Sequence, residues 1–317
     1  MRIGFLFAGQ GSQYVGMGKD LYEEYEEVKN IYDQVNEITG IDIKKLSFEG
    51  PEEKLNRTKY TQLAVLTNSL GILEVLKKNG IKAEISSGLS LGEYTALIYS
   101  GLIDLYDGVK IVKARGEFME NLLPNGDWLM AAILGLEDDQ VEKVCSDVKS
   151  GFVRPANYNC RGQIVISGEK NAVIEAVELA KSLGARASIL NTSGPFHTEM
   201  LKKSKEALEK ELENFNFNRF NTKVIKNIDG DFYNDEDDIK KILANHIINP
   251  VKFSKGLEKM LDEGIDIFIE VGPGKTLSSL IKKTALKRGI KVDVLNANSV
   301  ESILQVINFI KEKKENE

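Results

Sequence analysis

Short apolar runs rich in β-branched residues alternate along the chain with longer stretches that show a helical spacing of apolar positions. The runs predict strands at 3–8, 83–87, 223–227, 266–271 and 291–295. The longer stretches predict helices at 20–37, 62–78 and 276–288, among others. Alternation of this kind is typical of a parallel sheet with helices on both faces, so we predict an α/β fold.

The alternation changes in the middle of the chain. The pattern there predicts the order strand, helix, strand, strand, helix, strand, at 129–136, 138–150, 153–157, 163–168, 171–183 and 185–190. This βαββαβ order is the ferredoxin-like arrangement, which forms a compact unit by itself. We therefore expect a ferredoxin-like subdomain at 125–196, inserted into a larger domain that is formed by 1–124 and 197–317.

Composition and charge narrow the class of protein. The 317 residues are 42% hydrophobic and 28% charged, with a net charge of −6, which argues against general nucleic-acid binding. The apolar start at 3–8 is too short for a signal peptide, and no apolar run approaches the ~20 residues that span a bilayer. We expect a cytoplasmic protein without a membrane partner, and a monomer by default.

The sequence offers little support for a metal or a nucleotide cofactor. Its two cysteines and two histidines do not follow metal-ligand spacing, so we expect no metal site. The segment Gly272–Thr276 resembles the end of a phosphate-binding P-loop, but Ile269 stands where the first glycine is needed. The Gly9-x-Gly11 pair lacks the third glycine of a dinucleotide-binding loop.

The strongest chemical motif is Gly88-Leu89-Ser90-Leu91-Gly92. It follows the predicted strand 83–87 and precedes a predicted helix at 91–100, which is the setting of a nucleophile elbow. In that turn the glycines allow a tight bend that exposes the serine oxygen. The motif therefore predicts an α/β-hydrolase-like domain with Ser90 as its nucleophile.

A serine nucleophile needs a base, and the chain has only two histidines. His197 lies in a turn after the last strand of the insertion, where a cleft between the two bodies would bring it to Ser90. His246 lies at the end of a predicted helix, where an imidazole can simply favour the negative end of the helix dipole. We predict His197 as the base and keep His246 as a reserve.

Acyl chemistry also needs donors for a developing oxyanion. One backbone N–H would come from Leu91, the residue after the nucleophile, and a second from a neighbouring loop such as that at Gln10. Gln10 follows the first predicted strand in a glycine-rich turn. We predict an oxyanion hole formed by these two amides.

These segments resemble the malonyl-CoA:acyl carrier protein transacylases of bacterial type II fatty acid synthesis over nearly the whole chain. The matching motifs are Gly9–Gln13, Ser90–Glu93, Arg115-Gly116, Pro155–Asn159, Gly194–His197, Asn249–Val251 and Glu270–Gly274. The resemblance implies ping-pong transfer of a malonyl group from malonyl-CoA to the phosphopantetheine thiol of acyl carrier protein. It implies no cofactor, because CoA is part of the substrate.

The same resemblance implies residue roles. Ser90 and His197 would form the catalytic pair, and the backbone amides of Gln10 and Leu91 would form the oxyanion hole. Arg115 would bind the free carboxylate of the malonyl group as a planar fork of donors. His246 would belong to the segment whose backbone carbonyl orients the catalytic histidine.

Leu89 departs from the pattern of this family, which commonly has histidine before the nucleophile, so contacts to the acyl group are open. A thioesterase or esterase, a transferase for another acyl group, and a silent docking module for carrier protein are the alternative functions. An acidic carrier protein predicts a basic contact surface. Candidates for that surface are Arg154, Arg161, Arg186, Lys202, Lys203 and Lys205.

Overall fold

The computed structural model describes residues 1–190, 192 and 194–316. Within these ranges the strands are β1 (Ile3–Phe7), β2 (Ile85–Gly88), β3 (Trp128–Leu134), β4 (Val153–Cys160), β5 (Gln163–Glu169), β6 (Arg186–Leu190), β7 (Lys223–Val224), β8 (Ile267–Val271) and β9 (Asp293–Ala297). The helices up to the insertion are α1 (Lys19–Glu24), α2 (Glu26–Thr39), α3 (Ile43–Glu49), α4 (Glu52–Leu55), α5 (Thr58–Lys78), α6 (Leu91–Tyr99) and α7 (Leu105–Asn121). The later helices are α8 (Asp138–Asp147), α9 (Lys170–Ser182), α10 (Lys202–Leu212), α11 (Ile239–His246), α12 (Phe253–Asp262), α13 (Thr276–Lys287) and α14 (Val300–Glu315).

A parallel sheet forms the centre of the larger body. Its strand order is β7-β2-β1-β8-β9, and every neighbouring pair in it is parallel. Side chains alternate between the two faces of a strand, and on β1 Phe5 and Phe7 pack in one hydrophobic cluster while Leu6 packs in another. Helices therefore cover both faces, as the continuous burial of β1, β2 and β8 requires.

A second sheet is antiparallel and has the strand order β4-β5-β3-β6. Numbered within the insertion, this order is 2-3-1-4, which is the ferredoxin-like topology. On β3, Ala131 and Ile133 pack in a cluster with α8 and α9, while Met130 and Ala132 pack towards the larger body. The predicted fold class, a parallel α/β sheet with a ferredoxin-like βαββαβ unit, is confirmed.

Several element boundaries differ from the expected ones. The single helix expected at 20–37 is two helices, because Tyr25 adopts an extended conformation (φ −112°, ψ 124°) between α1 and α2. The strand expected at 223–227 is shorter, Lys223–Val224, and a short 3-10 helix, Glu199–Leu201, precedes α10. Across the described part of the chain, no helix has both the length and the apolar character that a membrane crossing demands.

Candidate active site

The turn between β2 and α6 has the geometry of a nucleophile elbow. Ser90 adopts φ 53° and ψ −97°, a conformation that a non-glycine residue rarely takes. A Cβ atom added to Gly88 would lie 2.0 Å from the carbonyl carbon of Gly92, and one added to Gly92 would lie 2.1 Å from the carbonyl oxygen of Phe7. Both glycines are therefore required by close backbone approach, and the strain at Ser90 is held by surrounding structure.

Ser90 is in contact with the imidazole of His197 across 107 residues of sequence. Its Oγ lies 2.8 Å from His197 Nε2, while His197 Nδ1 lies 3.0 Å from the backbone carbonyl oxygen of His246. A carbonyl oxygen can only accept, so Nδ1 carries the proton in this arrangement. Nε2 of the neutral ring then accepts the proton of the Ser90 hydroxyl, which is the geometry that general-base catalysis needs.

The surroundings of His197 keep its ring neutral. The residue is buried and lies in the left-handed region at φ 60°. Burial, followed by positive charge at His246 and at Arg115, lowers the pKa of His197 well below 6.5, although hydrogen bonds to backbone carbonyls oppose the shift. A neutral imidazole is the form that can take a proton from serine.

His246 occupies a different position from the one a base would need. Its ring lies 4.9 Å from the His197 ring, centroid to centroid, and its Nδ1 lies 3.0 Å from Glu93 Oε2. Its backbone carbonyl, at the end of α11, accepts from His197. The ring that contacts Ser90 Oγ is thus that of His197, while His246 lies behind it.

Arg115, on α7, is 1% exposed and reaches the same serine. Its Nη2 donates to Ser90 Oγ at 3.1 Å and its Nη1 donates to Gln62 Oε1 at 2.7 Å, while its Nε has no hydrogen-bond partner among the described residues. The guanidinium carbon also lies 5.2 Å from the centre of the Tyr94 ring. Burial lowers the pKa of Arg115, as expected for a cation that no carboxylate contacts directly among the described residues.

The two backbone amides predicted for the oxyanion hole lie at the carboxyl ends of β1 and β2. In the parallel register Phe7 pairs with Gly88, so the loops that follow both strands emerge together. Leu91 is fully buried and is the first residue of α6, where a backbone N–H has no intrahelical acceptor. The amide of Ser90 itself is engaged, because it donates to Asn227 Oδ1 at 2.7 Å.

A cavity of about 270 Å³ opens beside the pair and contains Gln10, Ser90 and His197 in its wall. Leu89, the departure noted in the sequence, also lies in this wall. Much of the apolar wall comes from the antiparallel sheet and the segments around it: Met119, Met130, Ala132, Val165, Leu190 and Phe196. Ser193, part of the motif that contains His197, lies outside the described residues.

Sequence reasoning did not assign a role to three polar residues that contact the site. Gln62 accepts from Arg115, and Asn227 both accepts from Ser90 N and donates to Gly88 O at 2.8 Å. Glu93, although part of the elbow motif, is buried and accepts from the backbone N–H of Asn227 at 3.1 Å. One signal was available for Asn227, since a polar residue that follows a strand of a parallel sheet lies at its ligand-binding edge.

No cluster of three or more histidine, cysteine or acidic side chains that could hold a metal occurs among residues 1–190, 192 and 194–316. The two cysteines, Cys145 and Cys160, are free thiols buried in hydrophobic clusters. Burial raises the pKa of both thiols. Neither thiol has the electropositive, exposed setting of a reactive cysteine.

Comparison with known sequences gives one family. A family model described as an acyl transferase domain matches residues 4–313. The malonyl CoA-acyl carrier protein transacylase of Bacillus subtilis is 41% identical over 318 residues, which cover 99% of this chain and 99% of that protein. The protein of the same name from Staphylococcus aureus is 38% identical over 294 residues, covering 92% of this chain and 94% of the relative.

Solved structures show the same similarity. A malonyl CoA-acyl carrier protein transacylase from Clostridium perfringens has a TM-score of 0.94 and 43% identity, covering 99% of this chain and 98% of that chain. A second structure contains a type II PKS acyl-carrier protein in complex with its malonyl-transacylase. Its match has a TM-score of 0.92 and 32% identity, and covers 97% of this chain and 99% of that chain.

Proposed function

Since the chain belongs to the acyl transferase domain family, we propose that it transfers the malonyl group of malonyl-CoA to the phosphopantetheine thiol of acyl carrier protein. The reaction supplies fatty acid synthesis and passes through a malonyl ester of Ser90. No cofactor takes part, because the CoA thioester is itself a substrate. The proposed enzyme is a cytoplasmic monomer, because the reaction needs no residue from a second subunit.

In the first half-reaction Ser90 Oγ attacks the thioester carbonyl. His197 Nε2, 2.8 Å away, takes the hydroxyl proton while the Oγ–carbon bond forms. The carbon–sulfur bond then breaks, and the imidazolium returns that proton to the CoA sulfur. The backbone carbonyl of His246 accepts from Nδ1 throughout, so it supports the ring without exchanging a proton.

In the second half-reaction the phosphopantetheine thiol gives its proton to His197, and its sulfur attacks the malonyl ester. The carbon–Oγ bond breaks, and Ser90 recovers its proton from the imidazolium. The amides of Gln10 and Leu91 would stabilise the oxyanion in both halves. Exclusion of water from the cavity favours transfer to the thiol over hydrolysis.

The buried position of Arg115 beside Ser90 is the observation that supports malonyl as the transferred group. A buried cation without an anionic partner is costly, and here it lies within 3.1 Å of the nucleophile oxygen. In a malonyl ester of Ser90 the free carboxylate is two bonds beyond the ester carbonyl carbon, within reach of that guanidinium. The acyl group would thus bring the missing negative charge.

The chain is also proposed to divide into two domains. Residues 1–124 and 197–317 would form the catalytic domain, and 125–196 would form the inserted subdomain that closes the cavity. Met130 and Val165, on β3 and β5, lie in the cavity wall beside Ser90, which supports this division.

The proposal is tested by intact-mass measurement after mixing the protein with malonyl-CoA, followed by addition of acyl carrier protein. We expect a malonyl adduct that disappears as malonylated carrier forms. Arg115→Ala should lower malonyl loading by roughly 10²-fold or more, since charge-assisted hydrogen bonds contribute about 1.5–3 kcal/mol each. Acetyl loading should be spared.

Three results would contradict this proposal. Release of free malonate at a rate that carrier protein does not change would indicate a thioesterase. Equal loss of malonyl and acetyl loading in Arg115→Ala would refute the role of Arg115. A protein that binds carrier protein but never forms an adduct would be a docking module.

A further inference from the structure

A group of buried polar residues lies directly behind the elbow. The Glu93 carboxylate is 1% exposed, and its Oε1 accepts from Asn227 N at 3.1 Å and from the Tyr233 hydroxyl at 2.7 Å. Its Oε2 faces His246 Nδ1 at 3.0 Å, and neither of these two atoms has another partner among the described residues. The carboxylate thus contacts three different segments that follow α6 in sequence.

Asn227 connects this carboxylate to the nucleophile. Its side chain accepts from Ser90 N at 2.7 Å and donates to the carbonyl oxygen of Gly88 at 2.8 Å. These two bonds hold the backbone on both sides of Leu89, directly before Ser90, which keeps an unfavourable φ of 53°. A strained backbone persists only where its surroundings hold it by several contacts.

His246 connects the same carboxylate to the base. Its ring faces Glu93, and its backbone carbonyl accepts from His197 Nδ1 at 3.0 Å. That carbonyl belongs to the last residue of α11, so no helical N–H fixes its direction. The position of the His246 side chain therefore helps to determine where the carbonyl points.

We propose that Glu93 is a positioning residue that sets the distance between Ser90 and His197. It holds the serine through Asn227 and the histidine through His246, and it touches neither reacting atom. The inference rests on the proposed function only in taking Ser90 and His197 as the reacting pair. A misplacement of about 1 Å in such a pair costs on the order of 10²-fold in rate, so the effect is measurable.

The contacts of Glu93 are those expected for a carboxylate that is held in one position. A buried carboxylate is tolerated where hydrogen bonds compensate its desolvation. Burial, together with the adjoining Glu93 charge, raises the pKa of Tyr233 well above 10, so this hydroxyl remains a donor at every working pH. One other explanation is that Glu93 serves as a distant counter-charge for Arg115 and thereby affects substrate binding.

Single-turnover acylation by malonyl-CoA separates these explanations, because it gives an acylation rate constant and a Kd for malonyl-CoA. For Glu93→Ala we expect the rate constant to fall by about 10²-fold, with Kd changed by less than about threefold. Glu93→Gln keeps an oxygen for Asn227 and Tyr233 and should recover the rate to within about tenfold of the unmodified protein. In the double variant Glu93→Ala with Asn227→Ala, the acylation rate constant should fall by less than the product of the fold-losses in the two single variants.

Glu142, an exposed residue of the inserted subdomain, provides a control that shares the tyrosine contact of Glu93 but lies outside the group behind the elbow. Its carboxylate accepts from the Tyr158 hydroxyl at 2.6 Å, as Glu93 accepts from Tyr233. Glu142→Ala should leave the acylation rate constant unchanged. Thermal unfolding of every variant allows rates to be compared per folded molecule.

The proposal is overturned if folded Glu93→Ala acylates at the unmodified rate, or if its whole loss lies in Kd. If Glu93→Ala does not fold, Tyr233→Phe decides. It removes one contact of the carboxylate and should slow acylation by about threefold to tenfold at constant Kd; an unchanged rate would overturn the proposal. If the unmodified protein itself forms no malonyl adduct, the proposed function fails instead.

Discussion

The two sheets of this molecule contribute differently to the site. The strands β1, β2 and β8 of the parallel sheet are buried along their whole length, and the elbow and the Gln10 loop begin where β2 and β1 end. The antiparallel sheet has an exposed edge strand, β6, and supplies apolar wall residues such as Met130 and Val165. A sheet covered on both faces can hold a strained turn, because every neighbouring backbone segment is itself fixed.

This contrast predicts that equivalent changes in the two sheets have unequal effects. Changes at the ends of the parallel strands should affect the chemical step. Changes in the antiparallel sheet should affect stability or carrier binding more than chemistry. The following experiments compare the two regions directly.

The largest difference is expected between two serines, the half-buried Ser90 after β2 and the buried Ser167 on β5. Ser90→Ala removes the nucleophile, so malonyl transfer should fall by about 10⁴-fold or more, with no adduct in the mass spectrum. Ser167→Ala should keep transfer within about twofold, because a surplus buried hydroxyl contributes little. A comparable loss in Ser167→Ala would show that the antiparallel sheet takes part in the chemistry.

A pair of glycines compares the rigidity of the two regions. A Cβ at Gly88 would meet backbone atoms at 2.0 Å, whereas one at Gly184, with φ 90°, would meet nothing within 4 Å. Gly88→Ala should lower the free energy of unfolding by about 3 kcal/mol or more. Gly184→Ala should cost about 1–2 kcal/mol from backbone conformation alone. Urea unfolding measures both, and equal losses would contradict the contrast.

The pH dependence of loading tests the environment of His197. Burial, and then charge at His246 and Arg115, lowers its pKa, so the neutral base persists below pH 6.5. The kcat/KM for malonyl-CoA should therefore stay level as pH falls through 6.5 and decline only at lower pH. The free energy of unfolding should already fall as pH drops below about 6.5, because the unfolded chain takes up a proton there and the folded chain does so only at lower pH. A decline in kcat/KM centred above pH 6.5 would contradict the lowered pKa.

The smallest effects are expected from the basic surface predicted for carrier docking. Arg154 and Arg161, on or beside the antiparallel sheet, pair with Glu199 and Glu137. Lys202 and Lys205 pair with acidic residues one turn further along α10. Charge reversal at Lys203 should raise the KM for carrier protein a few-fold, about 1 kcal/mol, and leave malonyl-CoA loading unchanged. An unaltered KM would remove Lys203 from that surface.

Much of the fold was predictable from local pattern. Short apolar runs rich in β-branched residues identified β1 and β8, and the switch to βαββαβ order identified the second sheet. The break at Tyr25 was missed, because its neighbours on both sides favour helix and only the extended backbone of one residue interrupts them.

The candidate site was predictable in part. The elbow motif identified Ser90 as the nucleophile, and the base had to be one of only two histidines. Gln62, Asn227 and Glu93 received no role, because each acts through a hydrogen bond to a residue distant in sequence, or through a buried charge that faces one. Residue types alone do not say which buried polar groups meet.

Local sterics and the periodicity of apolar positions depend on residues that are close in sequence. For that reason the sequence by itself determined the strands, the two sheets and the strained turn at Ser90. The sequence favoured His197 over His246 by its place in a turn, and tertiary structure decided that its ring lies 2.8 Å from the serine oxygen. It also decided that Arg115 lies buried with no carboxylate in contact among the described residues, and that Asn227 holds a turn 137 residues away. Such pairings depend on how whole elements pack, and only the packed molecule defines them.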